Sequence, residues 1–134
     1  MTALAAERNT IMKDGELIPV KMAAGAKIYA GGMVVANATG YGAPGSTALN
    51  LTYLGRAEET VDNAGGADGD KTVLVRRGKA FLWSNFSGDL VTQASLGKSC
   101  FIVDDQTVAL TNGTSTRSAA GTVLEVTSEG VLVL

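Results

Sequence analysis

The residues that could carry chemistry in this chain are few, because histidine is absent from all 134 positions. Without histidine there is no Ser-His-Asp or Cys-His arrangement, no His-containing zinc site and no general base with an ordinary pKa near neutrality. Carboxylates remain, and Asp89 or Asp104 would be the candidates in an acid–base enzyme. Such an enzyme would need a deep pocket and an acid of raised pKa. The sequence therefore favours a protein without catalytic residues.

Two glycine-containing segments resemble phosphate-binding motifs. Gly40–Gly45 fits the pattern G-x-G-x-x-G, with Glu58 about twenty residues further on, but that motif needs a helix that begins at its last glycine. The residues that follow indicate a turn and a strand. The segment Gly97-Lys98-Ser99 resembles the end of a P-loop, but Thr92 stands where its first glycine belongs. Neither segment predicts a nucleotide site, and we expect no cofactor.

Metal and thiol chemistry are equally weakly indicated. The acids Asp62, Asp68 and Asp70 lack the regular alternation and the terminal glutamate of a calcium loop, and Asp104-Asp105 is better explained as a turn whose side chains accept backbone N–H groups. We therefore expect no metal site. The single cysteine, Cys100, excludes a disulfide within the chain and lies in an apolar run, where a buried thiol is expected.

The aromatic residues leave two interpretations open. Trp83 and Phe81 share a parity within one predicted strand, which favours a place in the core. The residues expected to line the interior are Trp83, Phe81, Val73, Val75, Leu124 and Val126. The alternative is a carbohydrate-binding module, which would require Trp83, Tyr41 and Tyr53 to be exposed and clustered.

Composition and charge limit the class of partner. The chain is 46% hydrophobic and long enough for one globular domain, and its 11 basic and 13 acidic residues give a net charge of -2. Such a chain has no excess field for phosphate backbones, so nucleic acid is not an expected partner. No apolar run reaches the length of a membrane span, and no signal-like segment begins the chain. We expect the protein to be made and used without secretion or membrane insertion, and we expect no membrane partner.

Seventeen glycines separate short runs rich in Val, Ile, Leu, Thr and aromatic residues. That spacing predicts tight turns between short strands. The predicted strands are Glu16–Met22, Lys27–Tyr29, Met33–Asn37, Leu49–Arg56, Thr72–Arg77, Lys79–Trp83, Ser99–Val103, Thr107–Leu110, Thr122–Thr127 and Val131–Leu134. About ten short strands without a convincing helix indicate an all-β sandwich, jelly roll or small barrel over residues 15–134.

Residues 1–14 lack both the alternation and the turn signals of the rest. We predict an extended N-terminal arm that carries isolated apolar anchors and charges of both signs. Its candidate contact residues are Leu4, Glu7, Arg8, Ile11, Met12 and Lys13. A frayed terminus without a role is the alternative interpretation.

The last predicted strand, Val131-Leu132-Val133-Leu134, contains no charged residue. One of its faces should therefore meet a partner strand or another subunit. Val131, Val133 and Leu134 are the candidate oligomer contacts. We expect a homo-oligomer, with a dimer favoured over a trimer because two-fold contacts are the commonest.

The order of short landmarks along the chain points to a family. The landmarks are Val20-Lys21, Gly25–Ile28, Gly32–Val35, Tyr53–Ala57, Asp62-Asn63, Val73–Gly78, Leu96–Lys98, Val103–Asp105, Ala120–Val126 and Gly130–Leu134. This succession, which spans roughly residues 17–134, resembles the small capsid decoration (cement) proteins of tailed double-stranded DNA bacteriophages.

The resemblance implies a jelly-roll-like β-sandwich without catalytic residues or cofactors. It also implies synthesis in the host cytoplasm and an oligomer on the outer capsid surface of the virion, with the major capsid protein as partner. There the protein would staple neighbouring capsid subunits against the pressure of the packaged DNA. The six candidate residues of the arm would then be contacts to the capsid. A carbohydrate-binding or tail-associated phage module is the alternative function.

Overall fold

The computed structural model describes residues 2–134, and the fold within that range is all-β, as the sequence predicts. The strands are β1 Leu17–Lys21, β2 Lys27–Ile28, β3 Met33–Ala36, β4 Gly42–Pro44, β5 Thr52–Ala57, β6 Val61–Asp62, β7 Thr72–Arg76, β8 Phe81–Asn85, β9 Ser99–Ile102, β10 Thr107–Ala109, β11 Ala119–Thr127 and β12 Gly130–Val133. A single 3-10 turn, Gln93–Ser95, is the helical element of the described part. No helix in that part is long and apolar enough to cross a membrane.

The described residues form twelve strands, where the sequence indicated about ten. The two additional ones are β4 and β6, which are three and two residues long. Their composition explains why they were missed, since β4 contains a glycine and a proline, which are both depleted in strands. Pairing with β3 and β2 holds them in place.

Five strands form an antiparallel sheet in the order β1-β7-β5-β3-β4. Its edge strands each carry a proline, Pro19 and Pro44, which an edge tolerates because one side of the strand has no partner. Beyond β1 the chain reaches the opposite edge, where the Ala23 N–H donates to the Gly42 carbonyl at 2.9 Å. The sheet therefore curves around an apolar core, which the β2–β6 ribbon completes. That core contains Val20, Met22, Ile28, Val34, Ala57, Val73 and Val75.

The five remaining strands, apart from the β2–β6 ribbon, close into a barrel in the order β10-β8-β12-β11-β9. Neighbours are antiparallel except β8 and β10, which are parallel. Closure leaves these strands without a free edge along the barrel wall. The barrel core contains Phe81, Trp83, Val91, Cys100, Ile102, Val108, Val123, Val131 and Val133.

The sheet and the barrel pack together through β3 and β5. Successive residues of a strand point to opposite faces, so Val34 lies in the core of the sheet while Val35 lies in the barrel core. The Ser118 hydroxyl adds a polar link, because it donates to the Ala48 carbonyl at 2.7 Å and accepts the Leu51 N–H at 3.0 Å. The two parts therefore form one packed body over residues 15–134.

Most of the expected core is confirmed. Phe81 and Trp83 are 8% and 4% exposed, and their ring centroids lie 6.1 Å apart. Val73 and Val75 are fully buried, in the core of the sheet and not in that of the barrel.

The expectation for Leu124 is wrong, because this residue is 46% exposed. The register of β11 against β12 shifts between Val123, which lies opposite Val133, and Glu125, which lies opposite Leu132. A bulge of this kind inserts one extra residue and breaks the period of two. Val123 consequently takes the buried position, and Val126 is half-buried against the barrel core.

Candidate functional site

The N-terminal arm, residues 2–14, lies outside both cores and contains no strand. The six predicted contact residues are all exposed: Leu4, Glu7, Arg8, Ile11, Met12 and Lys13. The three apolar anchors are exposed by 74%, 91% and 95% in chain order. Within the described part of the chain, no hydrogen bond or ion pair joins residues 2–13 to the body. The structure thus presents the six side chains to solvent and brings none of them to a site on the body.

The root of the arm, in contrast, is fixed to the body. The Asp14 carboxylate accepts the Glu16 N–H at 3.0 Å, and the Glu16 carbonyl accepts the Arg77 N–H at 2.8 Å. The Glu16 carboxylate also lies 3.3 Å from the Lys79 ammonium. These contacts place the point where the arm joins the body at the turn between β7 and β8. Sequence reasoning missed this anchor because it depends on the pairing of β1 with β7.

An open groove of about 520 Å³ lies next to the root of the arm. Leu51, Tyr53 and Leu134 contribute apolar surface, and the β7–β8 turn contributes the exposed cations Arg77 and Lys79. The groove lies where the sheet and the barrel meet, since its walls come from β5, that turn and the start of β11. No local sequence signal could have indicated it, because its residues come together only through the packing of the two parts.

The candidate oligomer contacts at the end of the chain are divided between core and surface. Val131 and Val133 are fully buried in the barrel core, so their side chains are not available to a second subunit. The partner strands they meet belong to the same chain, because β12 pairs with β8 and β11. Leu134 is 50% exposed and remains available for contact.

The aromatic residues of the carbohydrate-binding alternative do not form an exposed platform. Trp83 is buried, and its indole N–H donates to the Tyr53 hydroxyl at 3.0 Å. Tyr53 and Tyr41 are half-buried. Burial raises the pKa of Tyr53 to about 12, against the opposing effect of the hydrogen bond from Trp83. The phenol is therefore neutral at physiological pH and serves the packing between the sheet and the barrel.

The carboxylate candidates for acid–base chemistry have structural roles. The Thr111 hydroxyl donates to Asp89 at 2.5 Å, and the Arg117 guanidinium donates to the same carboxylate at 2.9 Å. The hydrogen bond from Thr111, followed by the contribution of Arg117, lowers the pKa of Asp89, which is opposite to the shift that a general acid needs. Asp104 accepts the Gln106 N–H at 2.9 Å, which confirms the predicted turn.

The glycine segments and the thiol also have structural roles. Strand β4 runs through Gly40–Gly45, and Gly97-Lys98 leads directly into β9, so neither segment begins a helix. Cys100 is buried, as expected, and its burial raises the pKa of the thiol to about 11. Among residues 2–134, no group of three or more His, Cys, Asp or Glu side chains could hold a metal ion.

The acids of the Asp62–Asp70 loop cap backbone groups. Asp62, Asp68 and Asp70 each accept one backbone N–H, at 2.7 to 2.8 Å. Asn63 is 1% exposed and donates to the carbonyl of Ala67 within the loop and to the carbonyl of Ala23 in the segment that follows β1. The loop is therefore tied to the body.

The chain matches no protein-family model, no curated protein and no solved structure. Its function is therefore inferred from its own residues and geometry. The features that stand out are the exposed arm, its fixed root and the groove beside that root.

Proposed function

We propose that this protein is a non-enzymatic capsid decoration protein that binds the outer surface of a tailed-phage head. The observation that carries the proposal is the arm, in which Leu4, Ile11 and Met12 are 74% to 95% exposed, more than any large hydrophobic residue of the body. The order of landmarks from residue 17 to residue 134 is the second support, since it resembles that family.

The arm is suited to binding an external surface. Ordering an extended segment costs roughly 1–2 kcal/mol per residue in backbone entropy, so a partner must offset that cost. Apolar anchors that enter shallow pockets provide one offset. Main-chain hydrogen bonds to the edge of a partner's sheet provide another, and they place few demands on the sequence of the arm. Residues 2–14 meet both requirements, since they carry three exposed apolar anchors and a backbone without strand partners.

A two-part contact would make the protein a clamp. The fixed root holds the body close to whatever the arm binds, through the contacts of Glu16 to Arg77 and Lys79. When the arm binds one capsid subunit and the body touches its neighbour, the second contact is effectively intramolecular. A ligand that binds the assembled shell and not its separate parts stabilises the shell by mass action. This is how the protein would resist internal DNA pressure.

The proposal includes a homo-oligomer on the virion. It also includes a jelly-roll-like arrangement of the body, in which the sheet and the barrel are the two packed β layers. The second point is supported by the packing of the β3–β5 face of the sheet against the barrel, which gives two β layers over a shared core. The jelly-roll-like character is implied by the resemblance to decoration proteins.

The experiment that tests the proposal is co-sedimentation with capsids. The purified protein is mixed with expanded heads, with unexpanded precursors and with free major capsid protein of the phage whose genome encodes it. We expect it to pellet with expanded heads and to remain in the supernatant with the other two. Equal binding to heads and free subunits, or no binding to any of them, would contradict the proposal.

A further inference from the structure

On the outer side of three adjacent barrel strands lie four leucines, which we call the leucine face: Leu82 on β8, Leu124 on β11, Leu132 on β12 and Leu134 directly after it. Leu82, Leu124 and Leu134 are 47%, 46% and 50% exposed, and Leu132 is half-buried. Solvent-facing positions of an antiparallel sheet are usually polar. A row of leucines at such positions is therefore a candidate interaction surface.

The strand register brings these leucines together. Leu132 lies directly opposite Leu82, and side chains at such paired positions have Cβ atoms roughly 4.5–5.5 Å apart. On the other side of β12, the bulge places Leu124 and Glu125 together opposite Leu132. The leucines thus form a continuous row across three adjacent strands. The same bulge that removes Leu124 from the core adds it to this surface.

Charges of opposite sign occupy the two ends of the leucine face. Arg77 and Lys79 precede β8 and lie at the end where β12 finishes. Glu129 is exposed in the turn between β11 and β12, at the opposite end. Lys79 pairs with Glu16, but within residues 2–134 neither Arg77 nor Glu129 has an ion-pair partner. One further charge of each sign lies along the β11 side, where Glu125 is opposite Leu132 and Lys98 contacts the β11 backbone.

We infer that the leucine face pairs two copies of this chain about a two-fold axis. A two-fold axis that lies in the interface and runs across the strands packs the leucines of one copy against those of the second. The same rotation places the end with Arg77 of one copy over the end with Glu129 of the other, so the pair of opposite charges forms twice in the dimer. A two-fold interface must be complementary to itself, and this surface meets that requirement in both hydrophobicity and charge. The inference rests on the homo-oligomer of the proposed function and names its interface. Dimerisation is measured without capsids, so its failure is distinguishable from a failure of capsid binding.

The pairing also accounts for the uncharged end of the chain. Val131 and Val133 point into the barrel, whereas Leu132 and Leu134 alternate with them and point outward. The inferred dimer contact therefore lies on the outer face of β12, whereas Val131 and Val133 lie on its inner face.

Sedimentation equilibrium of the full chain at micromolar concentrations tests the inference. We expect a dimer, and we expect Leu82→Glu to raise the dimer dissociation constant about tenfold or more, because it places two carboxylates at the centre of an apolar contact. Leu49→Glu is the matched control, since Leu49 is 52% exposed and lies outside the leucine face. A wild-type chain that stays monomeric at hundreds of micromolar, or equal effects of the two substitutions, would overturn the inference.

Charge reversal tests the relative orientation of the two copies. This test is valid whether or not the Leu82→Glu variant folds. Arg77→Glu and Glu129→Arg should each weaken the dimer about threefold or more at low salt, since each disturbs two symmetric ion pairs. The double variant restores opposite charges and should return to within about twofold of the wild type. Thermal melting of each variant verifies the fold. A double variant no tighter than the two single ones would exclude the two-fold arrangement.

Discussion

The indole N–H of Trp83 donates a 3.0 Å hydrogen bond to the hydroxyl oxygen of Tyr53, and this bond joins the barrel to the facing side of the five-stranded sheet. Trp83 belongs to the barrel core, and Tyr53 packs against that core from β5. An aromatic residue with a polar atom needs such a partner when it is buried. The pair therefore contributes both apolar packing and polar satisfaction at the junction between the two parts.

Substitutions at this pair should separate its two contributions. Trp83→Ala should lower the free energy of unfolding by about 3–5 kcal/mol, the usual range for an aromatic truncation in a packed core. Tyr53→Phe keeps the packing but leaves a buried N–H without its acceptor, so it should cost about 1–3 kcal/mol. Urea denaturation measures both changes. A loss well under about 1 kcal/mol for Trp83→Ala would mean that the indole is not part of the core.

Stability should fall with rising pH in the alkaline range. Burial raises the pKa of Cys100 from 9.0 to about 11 and that of Tyr53 from 10.0 to about 12. Each group therefore keeps its proton longer in the folded chain than in the unfolded one. The stabilisation is fully present below the unfolded pKa and is lost as the pH rises through the folded value, so the window runs from about pH 9 to pH 12. The loss is on the order of 2 kcal/mol for each group.

Two variants isolate the groups responsible for that dependence. Cys100→Ala should remove the part of the decline that begins near pH 9, and Tyr53→Phe the part that begins near pH 10. Chemical denaturation at a series of pH values measures the slopes. An unchanged slope in both variants would show that neither group titrates differently in the folded and the unfolded chain.

The strands and part of the core could be predicted from the sequence. Runs of β-branched residues between glycines are local signals, and Phe81 and Trp83 share a strand parity that is independent of any partner. The turn at Asp104 was predictable for the same reason, because an aspartate that accepts an N–H two residues ahead is a local interaction.

Features that depend on pairing could not be predicted. The exposure of Leu124 follows from a bulge, and a bulge exists only in relation to the opposite strand. The uncharged ending around Val131 correctly indicated burial, but it did not reveal that β8 and β11 of the same chain provide it. The groove beside Arg77 required the packing of the sheet on the barrel. These are long-range contacts, on which the composition of a short segment carries no information.

Two glycines with positive φ should respond very differently to alanine. Gly130 has a φ of 153°, and a Cβ at this position would collide with the backbone carbonyl of Trp83. Gly65 has a φ of 76°, and a Cβ there would meet nothing within 4 Å. Gly65→Ala should cost only about 1–2 kcal/mol for its left-handed conformation. Gly130→Ala should exceed that loss by about 1–3 kcal/mol, because strain and displacement of β8 are added.

Urea denaturation of the two glycine variants under identical conditions measures the difference. Equal losses in Gly65→Ala and Gly130→Ala would contradict the close approach of the β12 backbone to Trp83. The comparison is controlled, because both substitutions add the same methyl group and have the same effect on the unfolded chain.

The arm should affect binding and leave stability unchanged. Residues 2–13 make no hydrogen bond or ion pair with the described body, so their deletion should shift the melting temperature by less than about 2 °C. The same deletion should weaken binding to expanded heads about tenfold or more, because the anchors Leu4, Ile11 and Met12 are lost.

A full-length variant with serine at these three positions keeps the backbone and removes only the apolar contacts. If main-chain pairing with a capsid strand dominates, this variant should retain more affinity than the deletion; if the anchors dominate, the two should bind equally weakly. A truncated chain that decorates heads as tightly as the intact one would show that the arm is a frayed end and that the capsid contact lies on the body.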